Sequence, residues 1–374
     1  LDEAHGIEEQ ITDSCAEQWS NRVMTLLFRD LLDEAGKEGE GAALDALILP
    51  WQDAWSELLA RVPLESGTFG FEDDRLQIRA LADAVGAWVE AGQAVWKETK
   101  RLASRQRGDS PEDVPWRKVA ERIGTAFERM EHIFAQPEGW VSTLSREGPN
   151  TVVFKSNPVD VRPFFHQHLR RGFETVVLTS ATLRDGRGFN GLKLRLGLTE
   201  DEAQRAEHVE SPFDFKSQGL LFVPPGLPER RAGRDGVGEA RWVEASLEAM
   251  ERLLRASRGR ALLLFTSRKM LAAFKPRLEA ALPEITFFVQ GEGLGRHQML
   301  ERFRQTPQAA LLGLASFWQG VDLPGDVLTL VVVTALPFAP PDDPVLQARV
   351  READARKQGL GFIGIQVPQM TLKL

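Results

Sequence analysis

One cysteine, Cys15, and no tyrosine occur in 374 residues. A lone thiol excludes a disulfide framework and any multi-thiolate zinc or iron–sulfur site built from this chain alone. It fits a reducing cytoplasm. No apolar run approaches the length of a membrane span, and no signal-peptide pattern is read. Positive charge is in deficit, with 46 Lys and Arg against 54 Asp and Glu and a net charge of −8. That balance argues against a blanket polyanion binder, yet it leaves room for a basic, aromatic-lined track along one cleft. A phosphate-cradling Gly-x-x-x-x-Gly-Lys-Ser/Thr loop is missing, since the only Gly-Lys pair, Gly36-Lys37, is followed by Glu38. Neither an internal repeat nor a low-complexity tail is found.

What is present is an apolar content of 43% and a charged content of 27%, which belong to a globular protein; at this length two or three domains are expected. From Ser14 to about Gln136 the apolar residues recur at helix spacing. The sets are Trp19, Val23, Leu26, Leu27 and Leu31; Leu44, Leu47, Ile48, Trp51, Trp55, Leu58 and Leu59; Ile78, Leu81, Val85, Trp88 and Val89; and Val119, Ile123, Phe127, Met130 and Phe134. This stretch predicts a small all-helical domain. After Gly139 short aliphatic runs appear at Thr151 to Phe154, Thr175 to Leu178, Leu220 to Val223, Ala261 to Phe265, Ile285 to Val289, Ala310 to Leu314 and Leu328 to Val333, the later ones separated by amphipathic helices. Continuous apolar strands alternating with helices predict an α/β fold with a parallel sheet covered on both faces. Arginine clusters at Arg101, Arg105 and Arg107, at Arg170 and Arg171, and at Arg230, Arg231 and Arg234 read first as solvated helix ends or loops.

Four strings carry candidate chemistry. Leu1-Asp2-Glu3-Ala4-His5 offers two adjacent carboxylates, one to hold Mg²⁺ beside a nucleotide's phosphates and one to orient and deprotonate water. Asp-Glu-Ala is equally a good helix start. Val176 to Leu183 runs from a strand into Thr179, Ser180, Ala181 and Thr182, whose hydroxyls suit either a hydrogen-bonded bridge between two sites or a helix cap. Leu262 to Arg268 is a strand ending in Thr266, Ser267 and Arg268, donors suited to a phosphate backbone. Leu312 to Gly325 combines a strand, the aromatics Phe317 and Trp318, and a Gly320-Val321-Asp322 turn able to approach a nucleotide closely; core packing is the competing account of the two aromatics.

DEAH, TSATL, LFTSRKML and SFWQGVDLPGD, followed by LPFAPPDDPV, resemble in that order the motifs of superfamily 2 helicases of the DinG/XPD type, the bacterial DinG-like proteins most of all. The resemblance covers nearly the whole chain. It implies two RecA-like motor domains that clasp ATP, with a helical Arch domain inserted between the DEAH box and the SAT motif. On that pattern residues 1–13 and 140–215 are a remnant of the first motor domain, 14–139 the Arch, and 216–374 the second motor domain. Carried across by position, Asp2 holds Mg²⁺ and Glu3 acts on the water, while His5, Ser180 and Thr182 couple hydrolysis to movement. Thr266, Ser267, Arg268, Gln290, Ser316, Phe317 and Trp318 lie along the nucleic acid, and Gly320 and Asp322 face the nucleotide.

The family's phosphate loop and iron–sulfur cysteines precede the DEAH box, and its Gln-x-x-Gly-Arg-x-x-Arg motif follows the point where this sequence stops. Gly295-Arg296 and Gly259-Arg260 lack that motif's context. The resemblance therefore implies a chain cut at both ends. Such a chain is inactive alone but drawn from a monomeric 5′→3′ helicase of the bacterial cytoplasm that acts on single-stranded and forked DNA. An RNA helicase, a translocase that does not separate strands, and a passive DNA- or protein-binding piece remain as alternatives.

Overall fold

A computed structural model of the chain describes residues 1–38, 41–105, 115–147, 150–184, 188–199, 206–230 and 237–374. Two compact units result, one formed by Leu1–Gln204 with Ala339–Pro368 and the other by Arg205–Phe338 with Gln369–Leu374.

In the first unit a 3₁₀ turn, Ala4–Gly6, leads into α1 (Ile7–Cys15), β1 (Glu17–Ser20), α2 (Asn21–Glu38), α3 (Gly41–Ala60), β2 (Gly67–Gly70), α4 (Ile78–Arg105) and α5 (Pro115–Ala135). There follow β3 (Trp140–Arg146), β4 (Val152–Pro158), α6 (Arg162–Phe164) and α7 (Asn190–Leu196). The second unit contains α8 (Phe215–Gln218), α9 (Val237–Ala256), β5 (Ala261–Leu264), α10 (Arg268–Ala281), β6 (Thr286–Val289), α11 (Arg296–Gln305), β7 (Ala309–Gly313) and β8 (Leu330–Val333). The chain then returns to the first unit with α12 (Pro344–Arg356), and α13 (Val367–Lys373) lies near its end.

The helical periodicity of α4 and α5 is realised as expected. Leu81, Val85 and Trp88 are buried on α4, and Val119, Ile123, Phe127 and Met130 on α5. They close around an aromatic cluster in which Trp51 stacks on Trp88 at 5.8 Å between ring centroids and meets Phe127 edge-on at 6.0 Å. Gly92 makes that approach possible, because a Cβ there would lie 2.5 Å from Trp51 Nε1 and 2.7 Å from Phe127 Cζ.

The stretch is not all helix, however. β1 and β2 interrupt it and join β3 and β4 in an antiparallel sheet of order β1-β4-β3-β2. The link between β3 and β4 is too short for a crossover and long enough for a hairpin, so this sheet is antiparallel, where a parallel one was expected throughout. Its registers pair Trp19 with Phe154, Phe154 with Leu144, and Leu144 with Phe69. This row of four is buried in the same core as the helices. Trp19 is thus a strand residue, and the phase of α2 is set afresh after Asn21. Met24, Leu27, Phe28, Leu31 and Ala35 are buried there, while Val23 and Leu26 are exposed. Packing does not divide at residue 139, since Leu144, Val152 and Phe154 share the helical core.

In the second unit, β6-β7-β5-β8 form a parallel sheet. Ala261, Leu263 and Phe265 point into a core with Leu247, Met250 and Leu254 of α9 and Phe274 and Leu278 of α10. Leu262 and Leu264 point the other way, towards Met299 and Phe303 of α11, Phe317 and Leu323. Both faces are covered, which explains why the strand sequences are continuously apolar.

Two expected strands, Thr175 to Leu178 and Leu220 to Val223, do not form. Val177 is exposed, as are all four residues from Leu220 to Val223. An apolar run becomes a strand only beside a ladder partner. The first of these finds only the residues at Leu1 to Ala4, and no strand pairs with the second among the described residues.

Gly92 and Gly86 on the same helix give a paired test. Gly92→Ala is expected to lower stability by about 1–3 kcal/mol, because the buried rings it strikes have nowhere to move. Gly86→Ala, where nothing lies within 4 Å, is expected to raise it by up to about 1 kcal/mol through helix propensity. Urea unfolding of both variants measures the difference.

Candidate functional site

Two residue clusters bring the singled-out strings into contact with their surroundings, one in each unit. In the first unit the chain start pairs with the SAT string through its backbone. The Leu1 ammonium donates to the Val177 carbonyl at 2.8 Å. Thr179 N donates to Leu1 O at 2.9 Å and Ala4 N to Thr179 O at 3.0 Å. The first two bonds alternate as in a parallel ladder, and the third reaches one residue further along the chain. At the ladder's end the backbone of Glu3 turns into the left-handed region with φ 52° and starts the 3₁₀ turn. A non-glycine residue in that conformation costs about 1–3 kcal/mol unless its surroundings hold it.

Those surroundings are polar. Thr179 Oγ1 donates to Asp2 Oδ1 at 3.0 Å, and Ser180 Oγ donates to Glu3 Oε2 at 3.1 Å. His5 Nδ1 lies 2.8 Å from Ser180 Oγ and 3.3 Å from Glu3 Oε2. Ser180 Oγ thus stands between His5 Nδ1 and Glu3 Oε2. Ser180 Oγ also accepts from the backbone N–H of Thr182 at 3.3 Å. No helix starts at Thr182, so these hydroxyls are not spent on a helix cap. His5 is withdrawn from solvent, with a side chain 7% exposed, whereas that of Glu3 is 57% exposed and open to a water or ligand.

For Mg²⁺, the donor set at this place is one or two carboxylates with a hydroxyl beside them. Among the described residues no group of three or more His, Cys, Asp or Glu side chains is poised around a metal. Mg²⁺ bound with a nucleotide needs no such cage, because phosphates and waters complete its shell; the residues present fit it. Cys15 is free and half-buried, and burial pushes its thiol up from its ordinary value, away from the thiolate a cluster or a nucleophile needs.

The second cluster lies at the carboxyl ends of the parallel strands, the edge at which open α/β sheets bind ligands. Thr266, Ser267 and Arg268 follow β5 and are exposed. Ser267 caps α10 by accepting from Met270 N at 3.1 Å. Arg268 reaches the loop after β6, where a Cβ on Gly291 would meet its Nη1 at 3.4 Å. Gln290 uses both ends of its amide. Its Oε1 accepts from Leu314 N at 2.7 Å and its Nε2 donates to Ser316 Oγ at 3.0 Å, so it braces β6 against β7.

Trp318 is half-buried and donates Nε1 to Phe265 O at 3.4 Å. Phe317, by contrast, is 1% exposed and belongs to the core beneath the sheet. Of the two accounts of this aromatic, core packing is the one the structure favours. A Cβ on Gly313 would sit 2.6 Å from Phe317 Cβ, so the strand end needs a glycine.

Sequence reasoning missed two residues of α11. Arg296 donates to Gln319 O at 2.8 Å and Gly320 O at 2.6 Å, and its guanidinium lies 5.6 Å from the Phe317 ring centroid. Arg304 donates to Asp322 O at 2.7 Å. Together they pin the Gly320 to Asp322 turn, in which Gly320 has φ 64°. Gly295-Arg296 had been set aside as out of context for an arginine motif, and nothing in the local sequence points to a loop downstream of it in the chain. The surface clusters read as solvated: Arg101 pairs with Glu98, and Arg230 with Glu239 at 3.2 Å. Arg107, Arg231 and Arg234 lie outside the described residues. No helix among the described residues is long and apolar enough to cross a membrane.

The family described as Helicase C-terminal domain matches residues 250–374, the stretch that runs from the end of α9 through the parallel sheet to the chain end. The chain is 38% identical over 200 residues to the ATP-dependent helicase DinG of Mycobacterium tuberculosis, covering 54% of this chain and 29% of that protein. It is 32% identical over 217 residues to the ATP-dependent DNA helicase YoaA of Escherichia coli, covering 58% and 32%. To the 3′-5′ exonuclease DinG of Bacillus subtilis it is 30% identical over 237 residues, covering 62% and 25%. The matched part thus spans about a third or less of these relatives' length. Among solved structures, Xpd4 of S. tokodaii superposes with a TM-score of 0.53 at 12% identity over 100% of this chain and 66% of that one, a likeness of fold. The helicase C-terminal domain match and the DinG and YoaA relatives make this chain similar to DinG-type helicases over part of their length, and its fold resembles that of Xpd4.

Proposed function

We propose that the chain carries the hydrolytic carboxylates and the second motor domain of an ATP-dependent 5′→3′ DNA helicase that moves on single-stranded and forked DNA. One observation supports this above the others: His5 and Ser180, 175 positions apart, meet at 2.8 Å with Glu3 bonded to both. Glu3 also stands at the start of the helix, as the residue before the 3₁₀ turn, and its carboxylate is nonetheless bonded to Ser180. A hydrolytic pair linked to a movement-sensing segment needs this contact.

In this reading Asp2 holds Mg²⁺, which neutralises charge on the nucleotide's phosphates when bound, and Glu3 orients and deprotonates the attacking water. His5 and Ser180 fix the free rotation of the Glu3 carboxylate, and the Thr182 N–H extends that chain of hydrogen bonds. Gly320 and Asp322 are the nucleotide-facing residues of the parallel-sheet unit, shaped by Arg296 and Arg304. Thr266, Arg268, Ser316 and Trp318 line the nucleic-acid track, with Ser267 and Gln290 holding its frame. Residues 14–139 are the Arch in this reading.

Hydrolysis also needs a phosphate-cradling loop, which this sequence does not contain, and an arginine finger, worth roughly 10³ to 10⁵ in rate. The chain by itself is therefore a DNA-binding piece with negligible turnover. Steady-state ATPase measurement with single-stranded DNA tests this, and turnover at the rate of an intact helicase would refute it.

In a longer polypeptide that supplies both missing parts, Glu3→Gln is expected to keep nucleotide and DNA binding while lowering turnover by about 10²- to 10⁴-fold, the span typical of a lost general base. Turnover at the parent rate would remove Glu3 from that role. For the chain itself, binding to an oligo-dT strand followed by fluorescence anisotropy should weaken as salt rises. Arg268→Ala should flatten the log–log slope by about 0.7, the value of one phosphate contact on a single strand. Arg296→Ala should leave that slope unchanged, because its guanidinium is spent on the carbonyls of Gln319 and Gly320.

A further inference from the structure

Away from the carboxylate cluster, three charged side chains from three elements of the first unit gather in one knot. Glu8, in the first turn of α1, lies 3.1 Å from Arg349 of α12 and 3.4 Å from Arg195 of α7. Their side chains are 14%, 10% and 16% exposed respectively. Arg349 also donates Nε to the Val159 carbonyl at 2.9 Å and Nη2 to Thr12 Oγ1 at 2.7 Å. The Thr12 hydroxyl passes its own proton to Glu8 O at 2.8 Å. One guanidinium therefore grips two successive turns of α1 and the residue just after β4.

The helix that carries Arg349 is itself fixed at its start. Asp343 Oδ1 accepts from Leu346 N at 2.7 Å, Pro344 occupies the first turn, and Gln347 Nε2 donates to Pro341 O at 2.9 Å.

One acid between two guanidiniums, withdrawn from water, is a poor source of stability, and an apolar trio of similar volume would serve as well or better. What a forked guanidinium does supply is orientation, because its donors satisfy their acceptors in one arrangement only. The element being oriented is α1, which continues from Glu3 and His5 with no loop between. The element doing it is the first helix the chain forms after leaving the parallel-sheet unit.

We infer that Arg349 is a positioning residue that sets the rotation of α1, and with it the Glu3, His5 and Ser180 cluster. α12 thereby becomes a lever on the carboxylates within the first unit. The positional part stands on the contacts alone; the lever part rests on the reading of Glu3 as the hydrolytic base.

Native-state hydrogen exchange of the chain tests the positional part, with the Ala4 and Thr179 amides as reporters because both sit in the ladder beside Glu3. In Arg349→Met, which keeps volume and loses the fork, both amides should exchange at least tenfold faster. The amides of β5 and β7 should be unchanged. Arg349→Lys should restore less than half of the effect, since an ammonium cannot span all three acceptors. Unchanged exchange at the two reporters, or acceleration spread evenly over both units, overturns the inference.

Should Arg349→Met not fold, Thr12→Val removes a single acceptor. An acceleration of about threefold at the same two amides then supports the inference, and none defeats it. In a longer polypeptide that hydrolyses ATP, Arg349→Met should lower DNA-stimulated kcat about tenfold with KM for ATP unchanged. Faster exchange with an unaltered kcat would overturn the lever alone. A Glu3→Gln variant that still turned over would overturn the hydrolytic reading and leave the exchange result in place.

Discussion

Everything proposed for the first unit depends on two backbone hydrogen bonds, Thr179 N to Leu1 O and Ala4 N to Thr179 O. They are main-chain contacts, so they fix where the side chains of Asp2, Glu3 and Ser180 begin before any of those groups finds a partner. Once the ladder is in place, Glu3 must bend back through a left-handed conformation to start the following turn. The same bend delivers its carboxylate to Ser180 and His5. The cost of the bend and the geometry of the site are therefore one feature, which is the pattern expected where a strained residue is held by what surrounds it.

The second unit solves its positioning problem differently. Parallel strands end on the same edge, so three loops that are distant in sequence open side by side without any special residue being needed to bring them there. Side chains then refine the edge. Gln290 ties the β6 loop to the β7 loop, Trp318 ties the β7 loop to the end of β5, and Arg296 and Arg304 hold the glycine–aspartate turn from the flank. The framework is dense in backbone acceptors matched to guanidinium and amide donors.

How much of this could be read from the sequence follows from which forces were local. The helices of α4 and α5 could be read because a helix buries residues at a fixed period within itself. The parallel sheet could be read because a strand buried on both faces is apolar along its whole length. Trp19 could not be placed, because its burial comes from Phe154 across a strand pair 135 positions away and not from its neighbours on α2. Leu220 to Val223 misled for the same reason, since apolar character marks a strand only when a partner exists, and Thr175 to Leu178 meets only the short segment Leu1 to Ala4. At the site, the motifs named residues that the structure gathers into two clusters, and of the two readings open for Phe317 its side chain takes the core-packed one. Arg296 escaped notice because its role is written in the carbonyls it touches, which carry no residue identity.

The four-residue row Trp19, Phe154, Leu144 and Phe69 has a further consequence. Each strand in the first sheet contributes one member, and the same side chains floor the helical core. Gaining or losing one residue within any of these strands would invert the facing of its neighbours and push an aromatic or leucine from the core into water. A change of length is therefore tolerated in the segments that connect these strands and not within the strands themselves.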